Sequence, residues 1–149
     1  MICKCLVIGL GGIGIWHAKS FAELGHEVTY IDPNVDSTVY KREPSVENFS
    51  GAYIIISTNS QYRWQYIKLV EAFHEGLTVV LEKPLFANQE QYDFFKSLNK
   101  RNTYLLNVPL EHVTHDLLKR SDPAPPSSIT SIGNNWGLAC NACHDLSFV

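Results

Sequence analysis

Short apolar runs alternate with amphipathic stretches along most of this chain. The apolar runs are rich in small and β-branched residues, which is typical of buried strands, and they comprise residues 3–8, 27–31, 52–57, 78–81 and 103–108. The stretches with helical periodicity comprise residues 13–24, a segment that ends at Gly76, and residues 88–101. This alternation predicts β-α-β units and therefore an α/β fold with a mostly parallel sheet.

Two of the helices have clear local signals. The middle helix is predicted from one continuous apolar stripe, which consists of Tyr62, Tyr66, Leu69, Val70 and Phe73. Asn88, with Gln91 three residues later, resembles a capping box that opens the next helix. Residues 33–51 are polar and interrupted by prolines, so we expect a loop there, with a short strand at residues 39–40.

Composition and charge exclude several classes of protein. The 149 residues are 45% apolar and 18% charged, which is enough for one real core and excludes a disordered chain. A net charge of −3 provides no basic field for nucleic acid or an anionic membrane. No apolar run reaches the roughly 18 residues of a membrane span, and the N-terminus lacks a signal-peptide cleavage site. We therefore expect a cytoplasmic protein without nucleic-acid or membrane partners.

The loop after the first predicted strand carries a glycine motif, Gly9-Leu10-Gly11-Gly12-Ile13-Gly14, which fits G-x-G-x-x-G. It opens a helix, and the following strand ends in Asp32, which is the context of a dinucleotide-binding loop. This context predicts a Rossmann-like, doubly wound sheet with helices on both faces. In that fold the pyrophosphate lies on the helix N-terminus, and the acidic side chain accepts hydrogen bonds from the adenosine ribose.

The acidic residue also bears on the choice of cofactor. A carboxylate at Asp32 favours NAD, because it repels the 2′-phosphate of NADP. Lys41 and Arg42 follow closely enough in sequence to keep NADP as the alternative. The other interpretation is a glycine turn without a ligand, in which Asp32 only forms the turn at the end of its strand.

Further polar residues follow the later strands. Ligands of an open parallel sheet lie outside the carboxyl ends of its strands, so the same site should also collect Ser57, Thr58, Asn59, Glu82, Lys83 and Pro84. A lysine at such a position can exchange a proton with a substrate hydroxyl. The alternatives are that Thr58 or Ser60 only caps the following helix, and that Lys83 is a solvated surface residue.

Several of these elements occur together, in the same order, in one known family. They are the glycine loop followed by His17, the acid Asp32, Thr58 after a strand, and Glu82-Lys83-Pro84-Leu85. Over residues 2–120 the chain resembles the N-terminal half of the Gfo/Idh/MocA oxidoreductases. The resemblance implies binding of NAD or NADP and a reaction on the alcohol or ketone of a sugar, an inositol or a sugar nucleotide. It also implies that Lys83 is catalytic and that the Lys83–Pro84 peptide bond is cis.

The end of the chain resembles the beginning of that family's second domain. We expect residues 1–120 to form the Rossmann domain, residues 121–128 a linker, and residues 129–149 the start of the second domain. There, His144 matches the family's histidine and is implied to be catalytic, whereas Cys140 stands at the position of the partner acid. The apolar side chains of residues 129–149 are expected to self-associate or to bind a partner chain.

Two functions follow from this comparison, and both stay open. The first is an NAD(P)-dependent oxidoreductase that acts on a carbohydrate-like small molecule, and Lys83 favours it. The second is a non-catalytic dinucleotide-binding module, or a fragment that lacks the substrate domain. Cys140 and the short second domain favour this alternative, so turnover by this chain is uncertain.

The four cysteines raise the question of a metal site. Cys3 and Cys5 with Cys140 and Cys143 could supply four zinc thiolates, and residues 140–144 fit the haem-attachment pattern C-x-x-C-H. The predicted first strand makes Cys3 and Cys5 core thiols instead, and haem attachment would require export. We therefore expect no metal. His17, on the first helix, is interpreted as a solvated or packing residue.

Overall fold

Strands and helices alternate along residues 2–107, the part of the chain that the computed structural model describes. The strands are β1 (Lys4–Ile8), β2 (Glu27–Ile31), β3 (Lys41–Arg42), β4 (Tyr53–Ile56), β5 (Thr78–Glu82) and β6 (Thr103–Asn107). The helices are α1 (Gly12–Glu23), α2 (Ser60–Phe73) and α3 (Gln89–Ser97).

The six strands form one sheet in the order β3-β2-β1-β4-β5-β6. β1 pairs in parallel with β2 on one side and with β4 on the other, and the β2–β3 and β4–β5 pairs are also parallel. The chain thus moves outward from β1 in one direction and returns to its other side at β4. This is the strand order of a doubly wound Rossmann sheet, so the predicted fold is confirmed. We call residues 2–107 the Rossmann unit.

Helices cover both faces of this sheet. Leu6 and Ile54 belong to the core layer beneath α2 and α3, whereas Val7 and Ile55 belong to the layer beneath α1. All four side chains are completely buried. Because both faces are covered, β1 and β4 have no polar side to alternate with the apolar one, which explains their continuous apolar runs.

The structure corrects some element boundaries. β3 comprises Lys41–Arg42 instead of residues 39–40, because its backbone pairs with β2 there, while Val39 is exposed. α2 ends at Phe73, before Gly76, and α3 ends at Ser97 instead of at residue 101. The predicted cap of α3 is confirmed, since the Asn88 side chain accepts a hydrogen bond from Gln91 N at 3.0 Å.

The buried face of α2 differs from the predicted apolar stripe. Within the predicted stripe, Val70 is buried and Tyr66 and Leu69 pack partly buried against the core, whereas Tyr62 and Phe73 are half-exposed. The buried residues of this helix are Arg63, Ile67, Val70 and Glu71. The buried face has the same helical spacing but begins one residue later than the predicted stripe. Both of its ends carry charged side chains, which a hydropathy pattern assigns to solvent.

Glu71 joins the end of α2 to the start of β6. Its carboxylate accepts hydrogen bonds from Arg101 N at 3.0 Å, Asn102 Nδ2 at 2.9 Å and the Tyr104 hydroxyl at 2.7 Å. Burial opposes ionisation of this carboxyl, but the hydrogen bonds and the positive charge of Arg101 outweigh it, so the pKa of Glu71 is lowered. Burial, reinforced by the bond to Glu71, raises the pKa of Tyr104.

Replacing Glu71 with glutamine should therefore destabilise the chain by about 1–3 kcal/mol at neutral pH, because hydrogen bonds to a buried charge are lost. The stability that Glu71 contributes is complete above its pKa in the unfolded chain and disappears as the pH falls through its lowered folded-state pKa. Urea unfolding of the wild type and Glu71→Gln at a series of pH values should show that the difference between their free energies of unfolding disappears in acid. Glu75→Gln is the control, because Glu75 is exposed and lies 3.9 Å from Arg101. A difference in free energy of unfolding that stays constant in acid would contradict stabilisation by the ionised Glu71 carboxylate.

The two cysteines of the Rossmann unit have different surroundings. Cys5 is buried in β1, as expected, and burial raises the pKa of its thiol to about 12. Cys3 precedes β1 and is partly exposed, so its assignment to the core was wrong. Among residues 2–107, no group of three histidine, cysteine or acidic side chains could hold a metal ion.

The predicted domain boundaries lie outside the described residues. The first compact unit of the chain ends at Leu106. The boundary at residue 120, the linker 121–128 and the segment 129–149 therefore stay predictions, as do the roles of Cys140 and His144. None of α1, α2 and α3, the helices of the Rossmann unit, has the length and apolar character of a membrane span.

Candidate functional site

The carboxyl ends of three strands are tied together at the point where the strand order reverses. Gly9 N, just after β1, donates a hydrogen bond to Ile31 O at the end of β2, at 2.8 Å. Ser57 N, just after β4, donates to Ile8 O at the end of β1, at 2.9 Å. The predicted site residues that follow these strands are therefore fixed relative to one another.

Two glycines of the loop are required by its geometry. Gly9 has a φ of +90°, a conformation that other residues rarely adopt. A Cβ atom on Gly14 would lie only 1.9 Å from Gly9 O. Glycine at this position therefore allows the first turn of α1 to pack directly on the loop, which is the role the motif predicts.

The N-terminus of α1 is open to a ligand. A Cβ atom on Gly11 would meet no other atom within 4 Å. Within the described part of the chain, no side chain caps this helix, and its first turn contains no acidic residue. Because the first backbone N–H groups of a helix have no partner inside it, this end of α1 presents free donors and partial positive charge, which suit a phosphate.

Asp32 holds the glycine loop through its carboxylate. Its Oδ2 accepts a hydrogen bond from Leu10 N and its Oδ1 accepts one from Asn34 N, each at 2.8 Å. The turn-forming role is thus present, but an ionised carboxylate has about four acceptor sites, so it can also accept bonds from a ligand. Arg42 lies beside it and donates to Asp32 O at 2.9 Å.

A cleft of about 510 Å³ lies between the glycine loop, the end of β2 and the start of α2. This volume is within the range of small-molecule sites. The predicted residues that line the cleft are Gly9, Gly11, Asp32, Ser57, Thr58 and Asn59. The remaining candidates do not line it; these are Gly12, Ile13, Gly14, Glu82, Lys83 and Pro84.

The wall that α2 contributes to this cleft was not predicted. It consists of Tyr62, Gln65 and Tyr66, which share one face of the helix because they are three and four residues apart. The apolar stripe predicts both tyrosines in the core; Tyr62 is exposed, whereas Tyr66 packs partly against the core and also lines the cleft. One signal could have identified them. Both tyrosines lie in the first turns of a helix that follows a strand end at the point where the strand order reverses, which is where ligands of such sheets bind.

Ser57, Thr58 and Asn59 connect β4 to α2 at the edge of the cleft. Ser57 Oγ donates to Gly9 O at 2.5 Å and so holds the glycine turn. Asn59 is the N-cap residue of α2, and its side chain makes no capping hydrogen bond. The idea that Thr58 or Ser60 caps this helix is therefore wrong. Thr58 Oγ1 is buried without a hydrogen-bond partner among residues 2–107.

Arg63 ties the end of β5 to the end of β4. Its side chain is 2% exposed, and its guanidinium donates to Thr58 O at 2.6 Å, to Pro84 O at 2.5 Å and to Glu82 O. Burial lowers the pKa of Arg63 to about 10, and the Glu82 carboxylate opposes this shift. The guanidinium is therefore charged at neutral pH, and it fixes the backbone around Lys83 through charge-assisted hydrogen bonds.

A second helix holds the Glu82 side chain. Glu82 is 4% exposed, and its Oε1 lies 2.6 Å from His17 Nε2 on α1. His17 is therefore not a solvated residue; it packs within the Rossmann unit, in contact with Glu82. The peptide bond between Lys83 and Pro84 is cis, as the family resemblance implies.

No protein-family model and no curated protein matches this chain, but solved structures do. UDP-N-acetylglucosamine 3-dehydrogenase GnnA from Acidithiobacillus ferrooxidans is 17% identical with a TM-score of 0.68, over 85% of this chain and 44% of its own. The WlbA (WbpB) dehydrogenase from Thermus thermophilus, solved with NAD and UDP-GlcNAcA, is 18% identical with a TM-score of 0.61, over 83% and 48%. Myo-inositol 2-dehydrogenase from Lactobacillus plantarum is 16% identical with a TM-score of 0.63, over 82% and 42%.

This chain spans less than half the length of each of these dehydrogenases. At such low identities the likeness concerns the fold, and at that level it confirms the resemblance seen in the sequence. The chain therefore has the Rossmann-like α/β fold that these dehydrogenases share.

Proposed function

We propose that the Rossmann unit binds NAD. The observation that carries the proposal is that one cleft brings together the open N-terminus of α1 at Gly11 and the carboxylate of Asp32. The helix end would hold the pyrophosphate, and the carboxylate would hold the adenosine ribose. The WlbA dehydrogenase from Thermus thermophilus, which shares this fold, was solved in complex with NAD.

The residues of the site fit a dinucleotide. Gly11 leaves open space where a pyrophosphate must approach the backbone, and the Asp32 carboxylate keeps free acceptor sites. The other proposed contacts come from the rest of the loop and from the ends of β4 and β5, namely Gly9, Gly12, Ile13, Gly14, Ser57, Thr58, Asn59, Glu82, Lys83 and Pro84. NADP is the alternative cofactor, with Arg42 beside Asp32 as its candidate contact.

We also propose that the chain belongs to the Gfo/Idh/MocA oxidoreductases and takes part in a reaction on the alcohol or ketone of a sugar, an inositol or a sugar nucleotide. The fold neighbours named as sugar-nucleotide and inositol dehydrogenases support this substrate class. Bound NAD would supply the hydride acceptor or donor. Lys83 would take up or release the hydroxyl proton, with His144 as the second candidate.

NADH should bind more tightly than NADPH, by about tenfold if Asp32 meets the 2′-phosphate as a like charge. Replacing Asp32 with alanine should lower the ratio of the NADPH and NADH dissociation constants, because the repulsion between the carboxylate and the 2′-phosphate disappears. Fluorescence titration of the full chain with both cofactors measures the ratio. Asp36→Ala is the matched control, since it removes an exposed carboxylate of the same loop that does not line the cleft. Tighter binding of NADPH to the wild type would contradict the role given to Asp32 and point to Arg42.

The same titration, together with an assay for reduction of NAD, separates the two candidate functions. Absence of NADH binding would overturn the proposal as a whole. Binding of NADH together with reduction of NAD in the presence of inositols or UDP-sugars would support the oxidoreductase. Binding without turnover of either substrate class would support the dinucleotide-binding module, the function that Cys140 at the acid position favours.

A further inference from the structure

Two helices hold the segment around Lys83, and they hold different parts of it. Arg63 on α2 binds backbone carbonyl oxygens on both sides of Lys83, those of Glu82 and Pro84. His17 on α1 binds the Glu82 side chain, with 2.6 Å between His17 Nε2 and Glu82 Oε1. The backbone around Lys83 is thus anchored to α2, whereas the side chain of Glu82, the residue before Lys83, is anchored to α1.

The contact between His17 and Glu82 is well protected from water. The side chains are 19% and 5% exposed. A buried carboxylate is costly unless it is hydrogen-bonded, and His17 supplies one such bond to Glu82. With a carboxylate as acceptor, the hydrogen atom of the pair lies on Nε2 of His17.

The position of His17 on its helix makes the contact more than a packing detail. α1 starts at Gly12, within the glycine motif, and His17 lies in its second turn. The same short helix therefore presents its N-terminus to the cleft and its second turn to Glu82. A displacement of α1 toward or away from a bound pyrophosphate would be transmitted to the residue that precedes Lys83.

We propose that His17 is a positioning residue that couples the nucleotide loop to Lys83 through Glu82. This inference rests on the proposed binding of NAD, and it adds that occupancy of the glycine loop changes the surroundings of the Lys83 amine. By linkage, the coupling acts in both directions. Breaking the contact between His17 and Glu82 should uncouple Lys83 from the cofactor, so that NADH still binds but the surroundings of the Lys83 amine no longer change.

The test is acetylation of lysines in the full chain by a limiting amount of reagent, with and without saturating NADH, followed by peptide mass spectrometry. In the wild type, NADH should slow acetylation of Lys83 at least about fivefold. Lys96, on α3, is the internal reference and should not respond. In His17→Leu the dissociation constant for NADH should stay within about threefold of the wild type, while protection of Lys83 falls below about twofold.

Two further variants distinguish a hydrogen bond from simple packing. His17→Gln should restore protection, because its side-chain amide can donate to Glu82 from nearly the position of the imidazole Nε2. His17→Asn, which is polar but shorter, should behave like His17→Leu and replaces it if the leucine variant does not fold. His26→Leu is the matched control, since His26 belongs to the same unit and contacts Cys3 N instead of Glu82.

The outcomes are distinct for the inference and for the function on which it rests. Failure of NADH to bind the wild type overturns the proposed function and this inference with it. Binding of NADH without protection of Lys83 in the wild type overturns the inference alone. Equal protection in the wild type, His17→Leu and His17→Asn would mean that bound NADH shields Lys83 by direct contact, and it also overturns the inference. Loss of protection in these two variants with rescue by His17→Gln supports it.

Discussion

Replacing Arg63 with methionine is expected to lower the free energy of unfolding by about 3–5 kcal/mol, the usual cost of removing one member of a buried charged network. Methionine fills a similar volume, but it leaves the carbonyl oxygens of Thr58, Glu82 and Pro84 without their donor. The contact with Glu82 O is buried and the other two are partly buried, and an acceptor that loses its donor away from water carries the cost of its lost hydration. Urea unfolding of the full chain, followed by circular dichroism, measures this difference.

Two control variants define the cause. Arg63→Lys keeps the charge, but one ammonium group cannot reach acceptors on both the β4 and β5 sides, so it should lose about half as much stability as Arg63→Met. Arg42→Met removes an exposed arginine that also binds carbonyl oxygens, those of Asp32 and Val35, and should cost less than about 1 kcal/mol. If Arg63→Met is as stable as the wild type, the guanidinium does not hold the strand ends together.

The strands illustrate how much of the fold is local information. β2 lies at Glu27–Ile31, as predicted, and β1, β4 and β5 differ from their predicted bounds by a residue or so. Each is a buried strand flanked by a turn signal, and burial on both faces makes the apolar run itself the signal. β3 has only two residues and no buried side chain, so composition could place it only approximately.

The contacts of α2 show where local information ends. Arg63 and Glu71 can be buried because each has hydrogen-bond partners in the folded chain. These partners are distant in sequence, 19 residues away at Glu82 and 31 residues away at Asn102. Nothing within α2 indicates these partners. A charged residue with helical spacing therefore predicts a solvated side chain, and only the tertiary structure reverses that prediction.

Some residues of the candidate site can likewise be predicted from local sequence, and others only from the tertiary structure. Gly9, Gly14 and Asp32 are recognisable from sequence because a tight turn, a close approach and an acid at a strand end each require a particular residue type. The pair of His17 and Glu82 joins residues 65 positions apart, and neither residue type signals the other. The resemblance to a family pointed to Lys83, whereas the structure shows what holds it in place.

Replacing Gly11 with valine is expected to lower the affinity for NADH at least about 100-fold, because a side chain would occupy the space that a pyrophosphate needs. The fold should be unaffected. Gly11 has φ −73° and ψ −163°, an extended conformation that valine adopts readily, and its Cβ would meet no atom within 4 Å. The free energy of unfolding should therefore stay within about 0.5 kcal/mol of the wild type.

Gly14→Ala should show the opposite pattern and serves as the comparison. Its Cβ would lie 1.9 Å from Gly9 O and 2.7 Å from Ser57 Oγ, so the loop and α1 must separate, at a cost of about 1–3 kcal/mol. Loss of stability with Gly14→Ala, and loss of NADH binding at unchanged stability with Gly11→Val, would together place the cofactor on the open side of the loop. NADH binding to Gly11→Val with wild-type affinity would mean that the nucleotide lies elsewhere, even though the loop has the conformation that such a ligand requires.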